Sequence, residues 1–350
     1  MAYATFNKPS LQFNTKLYTG NGGTNAITGV GFQPDMVWIK DRTGTNNHEI
    51  HDVVRGVNYQ IYPNLTNAQT NAANHLTTFG TDGFTVGSDG ALNTNSSNYC
   101  SWNWKAGNTQ GSANNDGSIN TTYTSVNTSA GFSISQYTGN GTNGATIGHG
   151  LGAVPETVWI KRLSNADAMI VYHSSYGNNA SVKMDRTDAS TGNFWNSTTP
   201  TSSVVTVTNS TECNVNGQTY VMYAFAPKKG FSKFGKYVGN GNADGNFIYT
   251  GFKSAFVMLK NITSTSQWML YDNKRETDTN GNPNRAALMP DLNNAEDVNA
   301  EQLDVLSNGF KCRTVGVKMN DSSQTFLYWA FAAEPLVANV TTNGIPATAV

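Results

Sequence analysis

Alternation of apolar and polar positions is the dominant signal in this chain. In Met36-Val-Trp-Ile-Lys40, Val37 and Ile39 fall on one face of a strand, and Met36, Trp38 and Lys40 on the other. The pattern returns with Val158 and Ile160 before Lys161, and with Val257 and Leu259 before Lys260. About twenty residues before these strands stand Tyr18-Thr-Gly-Asn-Gly22, Tyr137-Thr-Gly-Asn-Gly141 and Tyr237-Val-Gly-Asn-Gly241. Twelve residues past each lysine stands Asp52, His173 or Asp272, which sets the length of a hairpin. Each unit then closes on an aromatic strand. Cys100, Trp102 and Trp104 alternate on one face of it, then Val221, Tyr223 and Phe225, then Leu327, Trp329 and Phe331.

A period near 100 residues is longer than a solenoid repeat, and each copy is large enough to bury a core of its own. The expected fold is all-β: three tandem antiparallel β-sandwich domains, jelly-roll-like in topology. Residues 1–10 form an N-terminal arm, 11–107 the first sandwich, 108–118 a polar linker, 119–228 the second, 229–336 the third, and 337–350 a C-terminal tail. Ile119 to Val126 reads as an added first strand of the second sandwich. Two stretches read as helical, a turn around Asn67–Ala73 and a helix from Ala295 to Leu306 with Val298, Leu303 and Leu306 as its apolar positions.

Composition sharpens the picture. Charged residues are 13% of the chain and the net charge is −1, which leaves no electrostatic footprint for nucleic acid or an anionic membrane. No run approaches a membrane span, and the N-terminus has no apolar secretory region. Cys100, Cys213 and Cys312 fall one per domain and read as free thiols.

No motif for a cofactor, a metal or a catalytic centre emerges. His48 and His51 lie three apart on a strand, so they point to opposite faces and cannot share an ion. Asp52 with Arg55, and Asp272 with Arg275, read as salt bridges tying down a hairpin end; the second copy has His173 and Tyr176 there. The Asn280-Gly-Asn282 turn is of a composition that can hold calcium, without the spacing of a calcium loop. Aromatics beside polar loops are the binding candidates. Trp195 and Trp268, with Tyr176 and Asn196, are the residues expected to offer a sugar an aromatic platform ringed by hydrogen-bonding groups. The segments 56–78, 177–200 and 276–302 differ between copies, and any binding site is expected there rather than in the shared strands.

The motifs Y-T-G-N-G, G-F-Q-P-D-M-V-W-I-K (31–40), D-G-F-T-V-G (82–87), W-N-W-K-A-G (102–107) and A-G-F-S-I (130–134) together resemble a domain found in virion proteins of marine tailed bacteriophages. The resemblance covers about 11–230 and weakens over 231–336, where V-M-L-K replaces V-W-I-K. It implies laminin-G or concanavalin-like sandwiches and brings no catalytic residues. The expected function is therefore a non-enzymatic virion structural protein, exposed on the particle as a tail fibre or appendage that recognises a host-surface glycan. The alternatives are a capsid decoration protein serving particle stability, and a glycan depolymerase. Expected partners are other virion proteins, the host receptor and further copies of the chain in a homo-oligomer.

Overall fold

The computed structural model describes residues 4–275, 282–299 and 301–335. In the first sandwich an antiparallel sheet carries Phe13–Thr19, Asn98–Trp104, Met36–Asp41 and Glu49–Asp52, in that spatial order. It is faced by Asn25–Thr28, Gly83–Val86 and Leu76–Gly80. The third sandwich repeats this order, with Ser232–Val238, Thr325–Pro335, Phe252–Asn261 and Met269–Asp272 over Phe247–Tyr249, Gly309–Cys312 and Leu303–Leu306. The second widens the larger sheet to six strands: Thr121–Asn127 is added at one edge and Gly177–Lys183 at the other. The aliphatic faces fill the sandwiches as alternation requires. Val37 and Ile39 pack with Ile27, Phe84 and Val86, and Val158 and Ile160 with Ile147, Val205 and Val207.

The Tyr-x-Gly-Asn-Gly motif proves to be a staple. The tyrosine hydroxyl donates to a carbonyl across the sandwich, Leu92 O (2.9 Å), Cys213 O (2.7 Å) or Met319 O (2.6 Å). The next residue along from each acceptor is a buried asparagine: Asn93, Asn214 or Asn320. Its side-chain oxygen accepts from the motif's own Asn amide, at 2.9, 2.8 and 3.1 Å. A Cβ on the first glycine would lie 2.1–2.4 Å from a backbone oxygen (Thr94, Val215 or Asp321), and the second glycine has φ of +71°, +72° or +63°. Both positions exclude side chains for steric reasons, so the repeated motif is explained by packing.

The other face of each large sheet looks inward, toward the two other sandwiches. Trp38, Trp102, Trp104, Trp159, Tyr223, Phe225, Phe256, Trp268, Trp329 and Phe331 share one buried core drawn from all three. Trp38 meets Trp159 edge-on at 6.1 Å, and Phe13 stacks on Phe331 at 5.2 Å. The contacts run cyclically. Trp102 Nε1 donates to Asp272 Oδ2 (2.9 Å), the Tyr223 hydroxyl to Asp52 Oδ2 (2.6 Å) and Trp329 Nε1 to Thr157 Oγ1 (2.9 Å). Thus one position of each closing strand bonds the hairpin region of a neighbouring sandwich.

The segments that differ between copies are clasps in the same cycle. Lys161 Nζ donates to Leu65 O (2.8 Å) and Asp167 N to Thr66 O (2.7 Å). Lys260 Nζ and Ser266 N both donate to Thr187 O (2.8 and 2.9 Å). Arg42 closes the cycle on Glu296, with Nη2 at 2.7 Å from Oε1. The arm adds to the closure, since Thr5 N donates to Lys229 O and Phe6 packs on Phe231.

His173 makes one of these joints pH-sensitive. Its ring meets Trp329 edge-on at 4.8 Å, its Nε2 lies 3.3 Å from Tyr328 O, and its Nδ1 accepts from Ser175 N. Burial pushes its pKa down from 6.5 to about 4. A histidine depressed by folding contributes stability that is present above pH 6.5 and lost as pH falls toward 4, by at most about 1.4 kcal/mol per pH unit. Urea unfolding of His173→Gln is therefore expected to lose part of the acid slope over this window. An unchanged slope would exclude His173 as its source.

Two local expectations are corrected and the path of the linker is defined. Residues 303–306 are a strand, not the end of a helix, with Leu303 and Val305 turned inward and Val298 exposed. Leu303 and Leu306 fit a helical period, but Leu303 and Val305 fit a strand, and the sheet takes the segment because Gly309–Cys312 pairs alongside. Around 67–73 there is no helical turn: Tyr59–Gln60 pairs with Thr70–Asn71, and Gln69 N goes to Leu163 O of the second sandwich. The polar segment 108–118 lies along the second sandwich, with Ser112 bridged to Thr124. Asn280 and the tail 337–350 fall outside the described residues.

Candidate functional site

The aromatic platform expected from the sequence does not form. Trp195 is 0% exposed, packs on Tyr172 at 5.5 Å and donates Nε1–H to Ser181 Oγ (2.7 Å). Trp268 is equally buried in the shared core, 5.3 Å from Trp329, with Nε1 against the carbonyls of Lys183 (3.1 Å) and Arg186 (3.2 Å). Polar loops flank both residues in sequence, but the clasp 177–200 folds over them. Tyr176 is half-buried and donates to Ala189 O, while Asn196 holds a turn at φ +51° and accepts from Asn143. The four residues do not converge on one surface.

An aromatic ring open to solvent stands elsewhere. Phe247 and Tyr249 alternate outward from Ile248 on an edge strand and are 46% and 52% exposed. Tyr249 borders a groove of about 610 Å³ at the junction of the second and third sandwiches, lined also by Glu156, Lys228, Lys229, Lys233 and Phe234. Lys233 Nζ donates to Tyr249 O (2.7 Å) and lies 5.3 Å from the centre of its ring, which fixes the platform. Burial raises the Glu156 carboxyl and lowers the Lys233 ammonium. The groove thus presents a ring face, amines, a carboxyl and main-chain groups together. Outward alternation on a strand with a polar flank was the one sequence signal that could have found it.

A second polar constellation lies inside the first sandwich. Glu49 and His51 share a face of their strand, and His75 reaches them from the chain beyond the hairpin. Glu49 Oε2 is 3.2 Å from His51 Nε2 and 2.9 Å from His75 Nδ1, while His75 Nε2 lies 3.0 Å from Asp89 Oδ2. His48, on the opposite face, accepts from Trp38 Nε1 at 2.9 Å, so the two strand histidines are separated as their spacing requires. Despite burial, the histidines hold the Glu49 carboxyl below its ordinary value. His75 is raised despite its own burial, by Glu49 and Asp89. In the sequence, the signal for this cluster is that Glu49 and His51 stand where the other copies carry Ile170 and Tyr172, or Met269 and Tyr271.

The paired salt bridges are present. Arg55 Nε and Arg275 Nε each lie 2.5 Å from the carboxylate of Asp52 or Asp272, and each arginine also donates to a strand carbonyl, Ile50 O or Leu270 O. Their carboxylates also receive Tyr223 and Trp102 from neighbouring sandwiches, so these groups are committed to the interfaces. The three cysteines are free and buried.

A family model described as a domain of unknown function, DUF7483, matches residues 8–335, a span that takes in all three sandwiches and the clasps between them. No curated protein and no solved structure matches the chain. With nearly its whole length inside that match, the chain belongs to the DUF7483 family.

Proposed function

We propose that this protein is a non-enzymatic surface component of a tailed-phage virion, part of a tail fibre or similar appendage, that engages a host-surface glycan. The observation that carries the reading is the Tyr249 groove, where a fixed, open aromatic face stands beside amines and a carboxyl. Sugars are held by this combination: C–H groups stack on the ring and hydroxyls bond the polar rim. Lys228, Lys229 and Lys233 favour a glycan bearing carboxylate, sulfate or phosphate groups. The resemblance of the repeated motifs to phage virion proteins supplies the setting.

Tyr249→Ala is expected to weaken binding to host polysaccharide about tenfold, about 1.4 kcal/mol, while unfolding free energy stays within about 0.5 kcal/mol. Binding and melting are measured on the same preparations, and adsorption is measured with virions carrying the variant. If those virions adsorb like the wild type and the protein binds no host polysaccharide, the reading falls. Shortened polysaccharide chains after incubation would replace it with a depolymerase.

A second reading, a capsid decoration protein serving particle stability, is favoured by the cyclic closure of three sandwiches in one chain. Such a unit suits a monomer seated on a symmetric hub. Immunogold labelling of virions separates the two: label on the head supports decoration, label on the tail supports attachment.

A further inference from the structure

The first sandwich breaks its own rule at two positions. Strand pairing places Glu49 opposite Ile39 and His51 opposite Val37. The same register puts Ile170 and Tyr172 in the second sandwich, and Met269 and Tyr271 in the third. Those counterparts are apolar or aromatic core residues. In the first sandwich the place is taken by a carboxylate and an imidazole, 1% and 0% exposed, joined by a third buried group, His75. Two copies of the same fold show that packing alone does not call for such groups, and burying them is costly unless something compensates.

Hydrogen bonding within the cluster compensates only by holding His75 as a buried imidazolium. His75 stands between two carboxylates, with Asp89 on Nε2 and Glu49 on Nδ1. With His75 neutral and its Nε2 proton given to Asp89, the Nδ1 lone pair faces the Glu49 oxygen, and two acceptors meet at 2.9 Å. His51 Nδ1 is buried with no partner among the described residues. A cation among the three atoms that face one another removes the conflict at Glu49. It also neutralises the two carboxylates and leaves both imidazoles neutral.

We infer that Glu49, His51 and His75 form a zinc-class metal site in the first sandwich, with Asp89 orienting His75 from behind. The donor set, two imidazoles and a carboxylate, is one that zinc takes. At ordinary zinc–ligand distances, tetrahedral donors lie about 3.3 Å apart. Here two pairs are at 3.2 and 2.9 Å, and one donor atom from each residue lies within 4.8 Å of the others. The carboxylate behind His75 is the usual partner of a metal-bound histidine, fixing its tautomer and aiming its lone pair. His75 and Asp89 form the more accessible side, at 9% and 35% side-chain exposure, and that is the route of entry. The site cross-links the Glu49–Asp52 strand to the segment before Leu76–Gly80, work that Ile170, Tyr172 and Trp195 do by packing in the second sandwich.

The test uses the full chain. Protein dialysed against chelator is titrated with Zn²⁺ by calorimetry, and in parallel with Co²⁺ by absorption spectroscopy. The expected results are uptake of a single ion, a melting temperature that rises with it, and a cobalt spectrum without a thiolate charge-transfer band. Asp89→Asn, a change at the accessible rim, is expected to keep the fold and weaken binding about 10–100-fold. Glu49→Ile with His51→Tyr, which installs the second sandwich's residues, is expected to abolish binding while melting cooperatively. No uptake by the wild-type protein under excess Zn²⁺ overturns the inference and leaves His75 as an imidazolium held between Glu49 and Asp89. So does uptake that neither variant alters, or a thiolate band pointing to the cysteines.

Discussion

Trp102→Ala is expected to lower the stability of all three sandwiches together, in one transition, by about 3–5 kcal/mol. The indole is 0% exposed and touches more than its own domain. It lies 5.6 Å from Trp38 within the first sandwich and 6.1 Å from Phe256 of the third. Its Nε1 donates to Asp272, and the Arg275 guanidinium lies 5.6 Å from its ring. Truncation therefore opens a cavity in a core shared by three units and removes one hydrogen bond from a buried carboxylate, so the loss cannot stay local. Calorimetry gives the number of transitions, and hydrogen exchange read by mass spectrometry assigns them. If peptides from 13–104 lose protection while those from 132–225 and 232–335 keep theirs, the sandwiches are energetically independent and this account of the shared core is wrong.

Arg275→Met should cost a similar amount, about 3–5 kcal/mol at neutral pH, for a different reason. Arg275 is fully buried and bonds Asp272, Glu296 and Leu270 O at once. Removing it leaves Asp272 charged and buried, with Trp102, the Cys100 thiol and two main-chain amides as its remaining donors. Arg42→Met, which removes a half-buried partner of the same Glu296, should cost about 1 kcal/mol or less. The pH dependence identifies the mechanism. Burial alone would raise the Asp272 carboxyl, but Arg275 outweighs it and holds the group below 3.8. In the wild type this pair contributes stability above pH 3.8 and loses it as pH falls further. In the variant the carboxyl is raised, so acidification relieves the strain and narrows the gap between the two proteins. Urea unfolding at neutral and mildly acidic pH measures that gap; an equal gap at both would mean that lost packing, not the stranded charge, is responsible.

Strands and turns were the legible part of this fold, because period-two alternation and Gly-Asn-Gly turns are local properties. Val37 and Ile39 could be assigned to a core from their spacing alone. What covers the opposite face could not. Alternation states that Trp38, Trp102 and Trp159 leave the aliphatic side, but contact between Trp38 and Trp159 joins residues on separate sandwiches. The same gap misled the choice of site residues. Trp195 and Trp268 sit beside Asn, Ser and Thr in sequence, yet the clasp that buries them has no periodicity from which its path could be read. His75 was hidden for that reason too, since it lies in an aperiodic stretch and only the fold brings it to Glu49. Glu49 and His51 were readable in principle, by setting the three copies in register and asking where polarity replaces Ile170 and Tyr172 or Met269 and Tyr271.

The cyclic closure has a consequence for how the chain comes to be folded as it is made. Its joints connect residues far apart along the polypeptide: Trp102 with Asp272 at a separation of 170, and Arg42 with Glu296 at 254. When the first sandwich has left the ribosome, Trp102 and Trp104 have no cover, and the second sandwich supplies only part of it. Until the strand Thr325–Pro335 is synthesised, a broad aromatic surface waits for a partner that does not yet exist. Such surface is sticky at the protein concentrations of a cell, where neighbouring nascent chains offer the same faces to one another. The fold that ends as one sealed unit therefore begins with a period of exposure, and cotranslational shielding of residues 36–104 becomes a requirement on the chaperones of the cell that makes it rather than on the finished protein.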